Sequence, residues 1–500
     1  MHAPPWMMAS RNIAHIMKLM AGPAAALLCA FFFRSSAYPD MGAMAGILLW
    51  MAIWWLTEVV DVAVTALVPF IFLPIAGIAD SRTIAAQYMD PIIFLFVGGF
   101  IIAYAIEKWH LHERLALYVL KHVGTHPMNI LLGVMFTSFI ASMWISNTAT
   151  VMMLLPAVNA LIRQLEKHIS DKDSLRRMSS ALLIGLAYSA SIGGMATLVG
   201  TPTNMIFYRE YNEVFKDHTE INFLRWFMIG FPVAVIMMML AALILRFLLL
   251  SRIKRFSVPS GWARDEHRKI GPWSYESVVI SVLFFVTVLL WFTREDIDIG
   301  FAVFKGWNRW LHHAKYLHDG TVACLMALLL FIIPSRKNKG KALMSWQDVS
   351  KLPYGIILLF GSGFALAKGF EVSGLNHWFA MRLAFLEKEN LYVVITVVCA
   401  SVLLLSEFAS NVTSIQLAMP VLISMCSLLD VHPLVILVPA TLAASMGFML
   451  PVATAANTIV FGTGYIRSRD MMKAGVLLNI CGVILLTVLS WVMITVFQSR

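Results

Sequence analysis

Two short polar sequences interrupt apolar stretches, Ser146-Asn147-Thr148 and Ser410-Asn411-Val412, and each follows a further serine by about one helical turn, Ser142 and Ser406. Downstream of each lies a second interruption, Gly200-Thr201-Pro202-Thr203-Asn204 in one case and Ala453-Thr454-Ala455-Ala456-Asn457 in the other. The side chains these sequences present are mainly neutral hydroxyl and amide groups. They suit binding. A helix unwound at small residues exposes carbonyl oxygens that can hold a cation such as Na⁺, and the half-helix N-termini it leaves attract carboxylate or sulfate. The two sets together would suit a small anion accompanied by hard cations with oxygen ligands.

A lone Ser-Asn-Thr is weak evidence, because serine and asparagine in apolar helices often serve to bond neighbouring helices. Spacing decides the matter. Leu95-Phe96-Val97-Gly98-Gly99-Phe100 resembles Leu359-Phe360-Gly361-Ser362-Gly363-Phe364, and Ser146-Asn147 and Pro156 recur as Ser410-Asn411 and Pro420, all 264 positions on. Asn204 recurs as Asn457, 253 positions on. Several blocks at nearly one displacement indicate two copies of one unit, a common construction in membrane transporters.

The elements that must position these groups are membrane helices. Of the 500 residues 59% are hydrophobic and 13% charged, far from soluble globular composition, and mean hydropathy is +0.78. Charge and hydropathy predict an all-α polytopic membrane protein with eleven spans, near 18–34, 41–60, 61–79, 91–107, 176–208, 222–250, 273–293, 317–334, 353–370, 432–466 and 470–497. After an N-terminal segment and first span (1–40), the first repeat covers 41–250 and the second 273–500, joined by a basic loop at 251–272. Five spans per copy invert one repeat relative to the other. The segments 128–167 and 391–430 read as re-entrant helical hairpins, each two short apolar stretches about a polar tip, and 176–208 and 432–466 as discontinuous helices. The stretches Glu107 to His122 and Glu371 to Leu383 are amphipathic and suit the membrane surface.

The net charge of +10 is carried in connections, chiefly 251–272 and 335–351, which the positive-inside rule makes cytoplasmic together with the N-terminus. The expected location is the plasma or inner membrane. The basic excess sets orientation, and nucleic acid is not an expected partner. The apolar run Leu19 to Phe33 after Arg11 and Lys18 reads as a cleaved signal peptide or a retained span. All five cysteines lie in apolar segments without paired spacing.

With both hairpins and both breaks in view, the chain resembles the divalent anion:Na⁺ symporter family, from Trp54-Trp55-Leu56-Thr57-Glu58 through both hairpins to Asn457. The resemblance implies that Ser142, Ser146, Asn147 and Gly200 help to hold one Na⁺ and Ser406, Ser410, Asn411 and Ala453 another. It implies that a dicarboxylate or related dianion meets Asn147, Thr148, Thr201, Asn411, Val412 and Thr454, and that the protein is a homodimer in the lipid bilayer. The expected function is Na⁺-coupled uptake of C4, succinate-like dicarboxylates by alternating access, with Na⁺-independent exchange, citrate transport and sulfate transport as alternatives. Three departures stand out. Val412 lacks the hydroxyl of Thr148, Pro202-Thr203 and Ala455-Ala456 replace paired prolines, and Asp61 stands where the family usually has proline.

Other classes fare worse. No His-Glu-x-x-His, nucleophile elbow or intramembrane aspartate pair supports an enzyme. A channel has no need of paired hairpins and broken helices. Glu58, Glu107 and Glu407 are candidates for a cation path, with Glu407, three residues before Ser410, the one nearest a tip. His110 and His112, and His312-His313, lack a carboxylate cluster at ligand spacing and read as surface histidines. Asn411-Val412-Thr413 matches a glycosylation sequon, but a buried tip is closed to the modifying enzyme.

Overall fold

The structure, a computed structural model, describes residues 5–33, 38–122, 126–169, 171–253, 272–298, 303–350 and 354–498. Most of the predicted basic loop 251–272, and Lys351, lie outside the described residues. The described chain is helical apart from the short antiparallel pair Ile297–Asp298 with Val303–Phe304 and one isolated bridge between Pro334 and Ala342. Among the described residues, ten helices are long and apolar enough to cross a bilayer.

Each of the eleven expected spans has a helical counterpart, and three of them are interrupted. The third divides into Val62–Thr65 and Val68–Ile75. Asp61 is the N-cap of the first piece, its carboxylate accepting the Ala63 N–H at 2.8 Å, which gives the residue a local capping role. The fifth span runs as Lys172–Met195 and then Pro202–Val214, and the tenth as Leu434–Ala444 and then Ala455–Phe461. The hairpins expected at 128–167 and 391–430 are each met by a pair of helices. Asn147–His168, Leu391–Phe408 and Asn411–Leu429 have 22, 18 and 19 residues and each qualifies as a span by length and composition; only Pro127–Ser142, with 16, falls short. Their polar tips are confined to a few residues, so helix propagates from the tip in both directions; 22 residues reach about 33 Å at about 1.5 Å per residue.

The chain forms two compact units, and neither follows one sequence repeat. The first comprises Met1–Ile93, Pro353–Ala440 and Thr487–Arg500, the second Phe94–Leu352 and Thr441–Leu486. In the first unit Pro5–Phe32 packs closely on Met41–Thr57: a Cβ added at Gly46 would stand 2.5 Å from the Ala26 carbonyl oxygen. Small residues permit such backbone approach, which is how membrane helices gain dispersion contacts where hydrophobicity offers no preference for protein over lipid. Trp54 Nε1 donates to the Leu19 carbonyl at 3.0 Å across the same pair. An apolar cluster including Met44, Trp55, Leu73, Leu366 and Phe370 forms this unit's core.

The second unit is organised around Lys172–Met195, in which every residue from Met178 to Met195 is buried. A helix covered on all sides cannot face lipid, and its serines are tolerated because it is sheathed in protein. Near one end of this unit, Lys108 Nζ donates to Asp348 Oδ2 at 2.8 Å and to the Leu343 carbonyl at 3.1 Å. Burial would raise the Asp348 carboxyl, but hydrogen bonds from Lys108 and Ser345 outweigh it and hold the group below the usual carboxylate range. Elsewhere Arg294 and Asp319, 3% and 0% exposed, pair at 3.2 Å, and Asp319 Oδ2 also accepts the Phe223 N–H at 3.0 Å. That pair stitches the helix starting at Phe223 to those ending at Phe292 and starting at Asp319.

Candidate functional site

The first tip is a helix N-terminus built by its own side chains. Ser146 is the N-cap of Asn147–His168, its hydroxyl accepting the Ala149 N–H at 3.3 Å. Ser142, on the last turn of the preceding arm, donates its hydroxyl to Asn147 Oδ1 at 2.8 Å. The turn between them is anchored by Trp144, which stacks on Phe223 and meets Phe284 edge-on. Ser146, Asn147 and Thr148 remain partly accessible, whereas Ser142 is fully buried.

Within the same unit, the tip abuts the first break. A Cβ added at Gly194 would collide with Asn147 Oδ1, and one added at Gly200 would stand 2.5 Å from the Gly194 carbonyl oxygen. Only glycine at both positions lets the amide and the two backbone strands meet. Thr197 donates its hydroxyl to the Met143 carbonyl and accepts the Gly200 N–H at 3.1 Å, tying break to tip. The break itself is held open by Asn204, wholly buried, whose Nδ2 donates to the carbonyls of Gly194 at 3.0 Å and Thr197 at 2.7 Å. Those carbonyls lost their helical partners when the helix ended, and the amide supplies a replacement. Thr201 is the N-cap of Pro202–Val214, so two helix N-termini serve this half.

The second half repeats the contacts within its tip and those within its break. Ser406 donates to Asn411 Oδ1 at 2.8 Å, and Ser410 is the N-cap of Asn411–Leu429, accepting the Thr413 N–H at 3.2 Å. Asn457 Nδ2 donates to the carbonyls of Gly447 at 3.0 Å and Leu450 at 3.1 Å, each 253 positions beyond its counterpart in the first break. Thr454 is the N-cap of Ala455–Phe461 and accepts the Asn457 N–H at 3.1 Å; Ala453 beside it is buried. Two differences separate the halves. Ser142, Ser146, Asn147, Thr148, Gly200 and Thr201 all belong to one compact unit, whereas Ser406, Ser410, Asn411 and Val412 belong to the other, apart from Ala453 and Thr454. Val412 packs against the apolar core of its own unit. Glu407 is fully buried beside the second tip.

Asn204 and Asn457 are the residues that motif reading undervalued. Their recurrence at 253 positions was visible, but a donor to opened carbonyls carries no sequence signature of its own. Thr197 and Ser445 were likewise not singled out, since their roles depend on which atoms the break brings near. The segments that form the tips and breaks, 127–162, 178–208 and 389–466, contain no lysine or arginine. The donor set at the first tip, hydroxyl, amide oxygen and opened carbonyl, fits a hard monovalent cation and offers no soft ligand for a transition metal.

A family profile described as "Sodium:sulfate symporter transmembrane region" matches residues 15–497. The chain belongs to that family. It is accordingly a membrane transporter and not an enzyme. It is 35% identical over 492 residues to the "Sodium-dependent dicarboxylate transporter SdcS" of Staphylococcus saprophyticus, covering 97% of this chain and 92% of that one. It is 34% identical over 525 aligned positions to the "Na(+)/citrate cotransporter" of Rattus norvegicus, with 91% of each covered. The corresponding transporter of Staphylococcus aureus is 34% identical over 490 residues, covering 96% of this chain and 92% of that one.

Proposed function

We propose that this family member carries a C4 dicarboxylate such as succinate into the cell together with Na⁺, by alternating access. One observation carries the reading: the segments forming both tips and both breaks contain neutral oxygens and helix N-termini but no lysine or arginine. A dianion drawn out of water needs compensating charge, because an unpaired buried charge is very costly. Helix N-termini supply only about half a positive charge each. Cations entering with the substrate supply the remainder, so cation and dianion bind best together and the empty sites least favour the crossing of either alone. The sodium-dependent dicarboxylate and citrate transporters to which the chain is similar support this reading.

In this arrangement Ser142, Ser146, Asn147 and the Gly200 carbonyl hold one Na⁺, and Ser406, Ser410, Asn411 and the Ala453 carbonyl hold the second. The carboxylates of the substrate meet Asn147, Thr148, Thr201, Asn411 and Thr454, with Val412 an apolar neighbour. The repeats are inverted, the protein is a homodimer, and it lies in the plasma or inner membrane with its N-terminus in the cytoplasm.

Uptake of labelled succinate, citrate and sulfate by purified protein in liposomes, each with and without an inward Na⁺ gradient, tests the proposal. Succinate uptake stimulated by the gradient is expected. Uptake that depends on internal dianion and ignores Na⁺ would replace symport by exchange, and a preference for citrate or sulfate would overturn the substrate.

A further inference from the structure

The two breaks are joined by a buried contact that the repeat provides on one side only. Thr203 Oγ1 lies 2.8 Å from Ser445 Oγ, and both residues are 0% exposed. Thr203 is the second residue of the half-helix beginning at Pro202, next to Asn204, whose amide holds the first break's carbonyls. Its hydroxyl also lies 3.4 Å from Thr201 Oγ1 and 3.5 Å from Asn204 Oδ1, so the short bond is the one to Ser445. Ser445 immediately follows Leu434–Ala444 and begins the second break, whose carbonyls at Gly447 and Leu450 are held by Asn457. A second tie runs nearby: Tyr188, on the helix leading to the first break, donates its hydroxyl to the Phe448 carbonyl at 2.6 Å. Thr203, Ser445, Tyr188 and Phe448 belong to one compact unit. The positions related to Thr203 and Ser445 by the 253-residue displacement are Ala456 and Ile192, which have no hydroxyl to share.

We propose that the Thr203–Ser445 pair couples the two breaks, so that a cation bound at one changes the affinity of the other. The inference rests on the sodium-coupled reading above. Each break is a short irregular segment clamped by one asparagine amide, so it shifts as a unit rather than residue by residue. A displacement of the first clamp on cation binding moves Thr203, and the bond to Ser445 passes that displacement to the segment carrying the Gly447, Leu450 and Ala453 backbone. Coupling of this kind is reciprocal, so removing either hydroxyl abolishes it in both directions. Thr203 and Ser445 are positioning residues, and neither is placed among the groups that touch Na⁺ or substrate.

The test is the Na⁺ dependence of succinate uptake by the full-length protein in liposomes, for wild type, Thr203→Val, Thr203→Ser, Ser445→Ala and the Thr203→Val/Ser445→Ala double variant. Wild type and Thr203→Ser should give the same sigmoidal curve. Thr203→Val and Ser445→Ala should each flatten it toward a Hill coefficient of one and raise the half-saturating Na⁺ about fivefold or more. The double variant should be no worse than either single one, since one shared bond is lost in all three. The Km for succinate at saturating Na⁺ should be unchanged. Effects that multiply in the double variant, or a raised succinate Km with an unaltered Hill coefficient, would overturn the coupling role. A sigmoidal wild type with unaltered variants refutes the bridge alone, whereas wild-type uptake indifferent to Na⁺ refutes the sodium-coupled reading itself. Should Thr203→Val fail to insert, Ser445→Ala against Ser445→Thr makes the same comparison from the other side of the bond.

Discussion

Replacing Asn204 by leucine removes an amide while nearly keeping its shape, and it strikes the first break where the backbone is most exposed to loss. Asn204 Nδ2 donates to the Gly194 and Thr197 carbonyls at 3.0 and 2.7 Å, in a place where no solvent reaches the side chain. The Gly194 carbonyl loses its amide donor at a cost of about 1–3 kcal/mol, while the Thr197 carbonyl keeps only the long bond from the Gly200 N–H at 3.4 Å, so a net loss of about 2 kcal/mol is expected. The damage is local, because Gly194 lies against Asn147 Oδ1 and Gly200 against Gly194. If about 1.4 kcal/mol of the loss falls on cation binding, Na⁺ affinity drops about tenfold. The assay is thermal unfolding of the purified protein in detergent over a Na⁺ series. Wild type should be protected by Na⁺ at low concentration, and Asn204→Leu should unfold earlier and need about ten times more Na⁺ for equal protection. Asn457→Leu should behave similarly, as its amide holds two carbonyls at 3.0 and 3.1 Å. An Asn204→Leu protein with unchanged melting and unchanged Na⁺ protection would refute the clamp.

Asn147→Ala and Asn411→Ala should each abolish uptake while the protein still inserts and elutes as a single species; full activity in both would remove the site assignment. Val412→Thr should shift the ratio of succinate to citrate uptake more than the Na⁺ dependence, and equal shifts in both would contradict the division of roles. Asp319→Ala takes one carboxylate from the buried Arg294 guanidinium, which keeps Glu295 at 2.6 Å, and leaves the Phe223 N–H without its acceptor, so a loss of about 1–3 kcal/mol is expected in the unfolding free energy. The exposed Lys216–Glu213 pair, removed as a control, should change stability by less than about 1 kcal/mol. Asp348, whose carboxyl is held below its ordinary value, contributes stability that is present above the unfolded-state pKa and is lost as pH falls through the lower folded-state value. The stability difference between wild type and Asp348→Asn should therefore shrink in acid below about pH 4 and stay constant above it.

Several features were legible because they depend on residue type and spacing. The serines one turn before each tip bond the tip asparagines at the same 2.8 Å in both halves. The first break ends at Gly200-Thr201 as the sequence suggested, whereas the second lies at 445–454, just ahead of the alanine pair that suggested it and that begins the next helix. The hairpin bounds were legible as well, because a polar tip between two apolar stretches marks the turn: the expected 128–167 and 391–430 are met by Pro127–Ser142 with Asn147–His168 and by Leu391–Phe408 with Asn411–Leu429. Other features depend on packing that no local pattern records. The stretch 176–208 was legible as an interrupted span, but the burial of every residue from Met178 to Met195 follows from the helices around it. The compact units join early and late segments, Met1–Ile93 with Pro353–Ala440 in one, which reading the chain as two successive repeats does not anticipate. Val412 stood out as a missing hydroxyl, and its contact with the apolar core explains why a methyl is tolerated there.

The most direct measurement follows Na⁺ and succinate together, with radioactive sodium and labelled succinate in the same liposomes and no applied gradient of Na⁺. With no lysine or arginine in the segments that form the tips and breaks, the dianion must enter with its cations. External succinate should therefore drive Na⁺ into the vesicles in fixed proportion to succinate uptake, and Asn147→Ala should abolish both fluxes together. Succinate entering at full rate without accompanying Na⁺ would contradict sodium-coupled symport.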